Sequence, residues 1–156
     1  MFKFASEWFY RPPEKPEVAY AILDDFVDAC EALDVRYWLY MGTALGFYRD
    51  GGWNEWDVDI DVLILEGDWP AVQGAMLARG FWMLPLTPHM ANGEHILLNI
   101  QTIPCVERRF DGYALLEHHG REYRVSDDIE GDLEETYGET WRMPIAPDDL
   151  EWRGMA

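Results

Sequence analysis

Apolar residues recur at helical spacing through Val18, Ile22, Phe26, Cys30 and Leu33, with Asp24, Asp25, Asp28 and Glu31 largely elsewhere. This pattern predicts an amphipathic helix from about Glu17 to Leu33 that packs on a sheet. Ahead of it, the stretch RPPEKPE predicts an extended arm over residues 1–16, because proline fixes its own dihedral and restricts the residue before it. The pattern then changes period. Val35 to Met41 (VRYWLYM) is β-branched and aromatic and stops at Gly42, as a buried strand would. Thr43 to Arg49 reads as a short helix closed by Asp50-Gly51-Gly52, and a second strand runs through DVDIDVLIL, Asp57 to Leu65.

Further along, Asp68 is placed to cap a helix with Pro70 in its first turn, and Ala71 to Arg79 carries Val72, Ala75, Met76 and Leu77 before Gly80. FWMLPL and HILLNIQTI are two more apolar segments. RRFDGYALLEHHGREYRV reads as a hairpin with turns at Asp111-Gly112 and His119-Gly120, and a last helix covers Asp127 to Tyr137. With no internal repeat, low-complexity tract or linker, residues 1–156 form one compact α+β domain in this reading.

One strand breaks the apolar pattern in an informative way. Side chains alternate along a strand, so Val58, Ile60 and Val62 share one face and Asp57, Asp59 and Asp61 the other. Successive carboxylates on that face lie roughly 6.5–7 Å apart, within reach of a shared cation or of two cations about 4 Å apart. Clustered carboxylates suit magnesium, which keeps water or substrate phosphate in its remaining positions. The alternative is a solvated strand face. Against it, aspartate is depleted in strands, and like charges on one face destabilise a sheet unless something neutralises them. An EF-hand is disfavoured, since DVDIDVLIL continues as an apolar strand without the central glycine and closing glutamate.

Composition narrows the partners. With 30 acidic against 12 basic residues the net charge is −18, which disfavours nucleic acid and anionic lipid, so a phosphate-bearing partner needs metal ions or local arginines. The basic residues are arginines save Lys3 and Lys15. Cys30 and Cys105 lack zinc spacing and read as buried free thiols of a reducing compartment. No apolar run is long enough to span a bilayer, and MFKFASEWFYRPPEKPE lacks the order of a signal peptide, so a cytoplasmic location is expected. His89, His95 and the His118-His119 pair read as surface or turn residues, without metal-ligand spacing.

Gly42-Thr43, at a strand-to-helix turn, offers backbone amides and a hydroxyl suited to holding phosphate, though a plain helix cap accounts for such a pair as well. Arg49, a turn or so beyond, is placed either to clamp a phosphate or to pair with an aspartate.

Taken together, MGTALGFYRDGGWNEWDVDID resembles the signature of the LicD/fukutin-related phosphotransferase family, a Gly-Thr-x-Leu-Gly turn and an arginine before a Trp-Asp-x-Asp-x-Asp strand. LEETYGETWRMP is similar to the Tyr-Gly-x-x-Trp-x-x-Pro element that closes the same domain. The resemblance implies a nucleotidyltransferase-like mixed β-sheet flanked by helices. It makes Gly42 and Thr43 the phosphate-holding turn, Arg49 a phosphate contact, Asp59 and Asp61 the metal ligands, and Asp57 a third or outer ligand.

The implied activity is transfer of a phospho-group, such as phosphocholine or a phospho-alditol, from a nucleotide-activated donor to a glycan or small hydroxyl acceptor. The implied cofactor is Mg2+, with Mn2+ a substitute. Val58 and Glu55 depart from residues common in the family, which often has aspartate and proline there. In LLNIQTIP, Asn99 and Gln101 stand where a later strand commonly brings another carboxylate, and Glu107 is the nearby substitute. Two alternatives follow: a catalytically weakened module that binds nucleotide or protein, and a nucleotidyltransferase acting on a small alcohol.

Overall fold

A computed structural model describes residues 16–54, 57–85, 89–94, 96–104 and 110–144. The expected arm, apart from Pro16, lies outside these residues, as do Glu55, His95, Cys105 and Glu107.

The first helix, α1 (Pro16–Leu33), buries Ala19, Ile22, Leu23, Phe26, Val27, Ala29 and Cys30. Leu33, expected on the buried face, is exposed at the helix end, where Asp34 turns the chain with a left-handed φ of 55°. Strand β1 (Tyr37–Leu39) is shorter than expected. Tyr40 caps the next helix, α2 (Met41–Leu45), and Met41 takes a φ of 41° to make the change of direction. A methionine pays steric energy in that region, and such residues persist where the surroundings hold them. Here the Gln101 amide donates to Met41 Sδ at 3.3 Å.

The expected helix over Thr43–Arg49 is thus two pieces: α2 and a π-helical turn, Gly46–Asp50, that ends at Gly51 with φ 77°. A Cβ on Gly46 would sit 2.7 Å from the Gly52 carbonyl oxygen, so glycine lets this turn close against the loop that follows.

Strand β2 (Asp59–Leu65) starts two residues later than expected, leaving Asp57 in the approach to it. After a 3-10 turn (Glu66–Asp68) comes α3 (Trp69–Ala78), with Val72 and Met76 buried. Asp68 is the N-cap residue by position but makes no side-chain capping bond, and Leu77 is exposed rather than packed. Strands β3 (Trp82–Met83), β4 (His89–Ala91) and β5 (Leu97–Ile103) complete a sheet of order β1-β2-β5-β4-β3, in which β2 and β5 run parallel and the other pairs antiparallel.

This is the expected mixed sheet flanked by helices. Ile60, Val62, Ile64, Leu98 and Ile100 face the main core with α1 and α3. The opposite face carries Asp59 and Asp61, then Leu63, which packs with Trp38 and Phe110 in a second cluster.

A hairpin of β6 (Ala114–His118) and β7 (Arg121–Val125) turns at His119-Gly120, with φ of 50° and 78°. Positive φ at both central residues is the turn that matches strand twist, and Gly at the second is why it forms there. The last helix, α4 (Ile129–Tyr137), buries Ile129 and Leu133 and packs near α2.

Candidate active site

Three strands put polar side chains in one row across the sheet. Asp61 of β2 is level with Asn99 of β5, and Asn99 is level with His89 of β4. Asp61 is nearly buried. Its Oδ1 accepts from Asn99 Nδ2 at 2.8 Å, its carboxylate accepts from the Gly42 backbone N–H, and its own N–H donates to Thr43 Oγ1 at 2.9 Å. The Gly-Thr turn is therefore bonded directly to the acidic strand.

Burial, and then the neighbouring Asp59 charge, push the Asp61 carboxyl up to about 7, against the opposing pull of the Asn99 and Gly42 hydrogen bonds. Asp59 Oδ2 lies 3.4 Å from His89 Nε2. Asp57 is half-buried, with its Oδ2 closed off from water and without a hydrogen-bond partner. Its carboxyl is also pushed up to about 7, first by burial and then by Asp61 and Asp59. A Cβ on Gly42 would lie 3.1 Å from that Oδ2, so the turn and the carboxylate share a space with no room for a side chain.

Arg49 sits beside the cluster and lowers the Asp57 carboxyl, yet its fork is engaged elsewhere. Nε and one terminal nitrogen donate to Asp50 at 2.8 Å each, and the other terminal nitrogen donates to the Trp141 carbonyl at 3.1 Å. The Trp141 bond brings in the second motif. Tyr137, at the end of α4, has its hydroxyl pKa raised by burial first and then by Asp61, Asp57 and Asp59, which puts it within electrostatic reach of the three carboxylates.

Asp57, Asp59, Asp61, Gly42, Thr43 and Arg49 are thus neighbours, joined by His89 and Tyr137, which sequence reasoning did not place there. His89 lies on a strand and faces Asp59; a strand of three residues, His89–Ala91, is too short to display its period. Tyr137 was visible in the Tyr-Gly-x-x-Trp-x-x-Pro element, but only the fold shows which charges lie near it.

Oxygen donors of this kind fit a divalent cation. Two carboxyls held near 7 and a bare buried Asp57 Oδ2 mark a site short of positive charge. Among the described residues, however, no three carboxylate, imidazole or thiolate groups are placed together to hold a metal ion.

Solved structures with this fold define the class: the chain has a nucleotidyltransferase fold. It is similar to the lincosamide antibiotic adenylyltransferase LnuA bound to lincomycin, with 16% identity over 89% of this chain and 92% of that one at a TM-score of 0.59. It is similar to ANT(2'')-Ia in complex with adenylyl-2''-tobramycin, with 14% identity over 86% and 81% at 0.62. The solution structure of the antibiotic-resistance factor ANT(2'')-Ia aligns over 72% of this chain and 66% of that one, at 14% identity and 0.57. Within that class, residues 34–90, from the end of α1 to β4, match the LicD/FKTN/FKRP nucleotidyltransferase domain family. No curated protein matches the chain. At 14–16% identity these likenesses show the fold.

Proposed function

We propose that the protein is a magnesium-dependent transferase that moves a phospho-group, such as phosphocholine or a phospho-alditol, from a nucleotide-activated donor to a glycan or small hydroxyl acceptor. The observation that carries this reading is the pairing of Asp59 and Asp61 on one face of β2 with Asp61 bonded to the Gly42-Thr43 turn. Asp59 and Asp61 are the ligands in this reading, Asp57 a third or outer one, and phosphate oxygens and water supply the remaining positions. When bound, Mg2+ or Mn2+ supplies the positive charge that a donor's phosphates and the carboxylates both require.

The chain's own residues then position the groups. Asn99 and the Gly42 amide orient Asp61, His89 borders Asp59, and Tyr137 lies within electrostatic reach of all three aspartates. Arg49 reaches a phosphate only by exchanging its Asp50 carboxylate for one, a bidentate swap its fork is built for. A second reading, transfer of a nucleotidyl group to a small alcohol, is favoured by the extent of the match to LnuA, 92% of whose chain is covered. The two differ in which phosphorus is attacked.

Phosphorus NMR separates them. With Mg2+ and a panel of cytidine diphosphate donors, release of nucleoside monophosphate with a new phosphodiester supports the first reading. Release of pyrophosphate from a nucleoside triphosphate supports the second. Asp59→Ala and Asp61→Ala should each lower turnover at least 100-fold. Nucleotide binding without turnover across the panel would leave a binding module instead.

A further inference from the structure

Asn99 is the centre of the polar row, and one of its two polar atoms is unused. Its Nδ2 faces Asp61 Oδ1, while its own Oδ1 is buried and has no hydrogen-bond partner. The carboxylate decides this orientation: Asp61 accepts and cannot donate when ionised, so the amide nitrogen turns towards it and the oxygen away. An acceptor buried bare is destabilising, and any O–H brought into the site relieves it. Asn99 therefore has one hand on a carboxylate and the other open.

Charge sets a second limit. Asn99 contributes none, the level position on β4 holds a histidine, and among the described residues no three ionisable ligand groups assemble to hold a metal. A pair of cations about 4 Å apart repels itself and is held by carboxylates that bridge or flank it. Asp59 and Asp61 are enough for one cation that keeps several water or phosphate ligands.

Resting on the reading above, we propose that the site takes one divalent cation rather than two. Asn99 is its positioning residue: Nδ2 orients Asp61, and Oδ1 receives the hydrogen of a water or acceptor hydroxyl. The amide fixes stoichiometry as well as geometry, because it fills with a neutral donor the position from which a further carboxylate would recruit a second ion.

Manganese is the probe, added to the full chain with inorganic pyrophosphate and followed by electron paramagnetic resonance. The expected spectrum of the natural chain is that of a single isolated ion, and Asn99→Asp should gain a second ion and a spin-coupled spectrum. Asn99→Ala, which removes both polar atoms, should weaken Mn2+ binding roughly 10–100-fold. A spin-coupled pair in the natural chain overturns the inference while leaving metal-dependent transfer standing. An Asn99→Asp chain that still takes one ion, or an Asn99→Ala chain with unchanged affinity, overturns the role given to Asn99. If the natural chain retains no manganese with or without pyrophosphate, the transferase reading itself fails.

Discussion

Asp57 pays the most for its place. Its Oδ2 is closed off without a partner and its carboxyl is pushed up to about 7 by burial and by two neighbouring aspartates. A carboxyl raised in the folded state binds its proton more tightly there than in the unfolded chain. Its contribution is therefore most favourable below the usual carboxylate range and is lost as pH rises from about 4 through about 7. Asp61 acts in the same direction over the same window. In the absence of divalent cations, Asp57→Asn should therefore raise Tm at pH 8 and have little effect near pH 4, by calorimetry. A gain of 1 kcal/mol corresponds to roughly 2–4 °C for a chain of this size. An unchanged Tm at pH 8 would mean that Asp57 is not under electrostatic stress.

His89 belongs to the same scale. With Nε2 3.4 Å from Asp59, it limits the positions that carboxylate takes. His89→Ala should weaken Mn2+ affinity by about 10-fold, the lower end for residues that orient a metal ligand. Titration calorimetry reads this directly, and unaltered affinity would remove His89 from the site's support.

Among the elements, the π-helical turn Gly46–Asp50 governs how the two halves of the first motif meet. It leads from the Gly-Thr turn to the loop before Asp57, and Gly46 packs on the backbone of Gly52 and Asn54. A methyl group there meets backbone, which yields less readily than a side-chain end. Gly46→Ala should destabilise the fold by about 1–3 kcal/mol in urea denaturation, whereas Gly67→Ala, with nothing near its Cβ, should not.

Element by element, the chain was readable where its period was long. Residues 17–33 and 127–137 gave helices within a residue or two of α1 and α4, and Ile60 and Val62 marked the core face of β2. The Asn-Gly-like turn at His119-Gly120 was equally plain. Short elements were not: β4 has three residues, and the break between α2 and the π turn goes with Gly46 packing on the backbone of the loop that follows, a contact no hydrophobic period displays. The candidate residues were named from one motif, but their bonds were not. Thr43 holds the Asp61 backbone and Arg49 holds Asp50, partners that only the folded arrangement selects.

At the scale of the whole molecule, the chain is held together across long sequence separations while carrying a charge of −18. Arg49 reaches Trp141, Tyr48 donates to Glu130 at 2.7 Å, and Arg121 from the hairpin meets Asp24, Asp28 and Glu31 of α1. The matched segment 34–90 is thus closed by elements outside it. Among the described residues no helix is long and apolar enough to cross a membrane. Self-repulsion at this net charge is relieved by screening, so sodium chloride should raise Tm. Magnesium at matched ionic strength should raise it further, because it also binds, by RT ln(1 + [L]/Kd). Equal effects of the two salts would argue for screening alone.

Cys30 lies in the middle of α1, fully buried, with its thiol pushed up to about 12 chiefly by burial. A thiol in that condition is silent to alkylating reagents until the helix lifts from the sheet. The chain thus contains its own stopwatch. The rate at which the peptide bearing Cys30 acquires a label counts the openings of the core, and any donor nucleotide that engages the distant carboxylates should slow it.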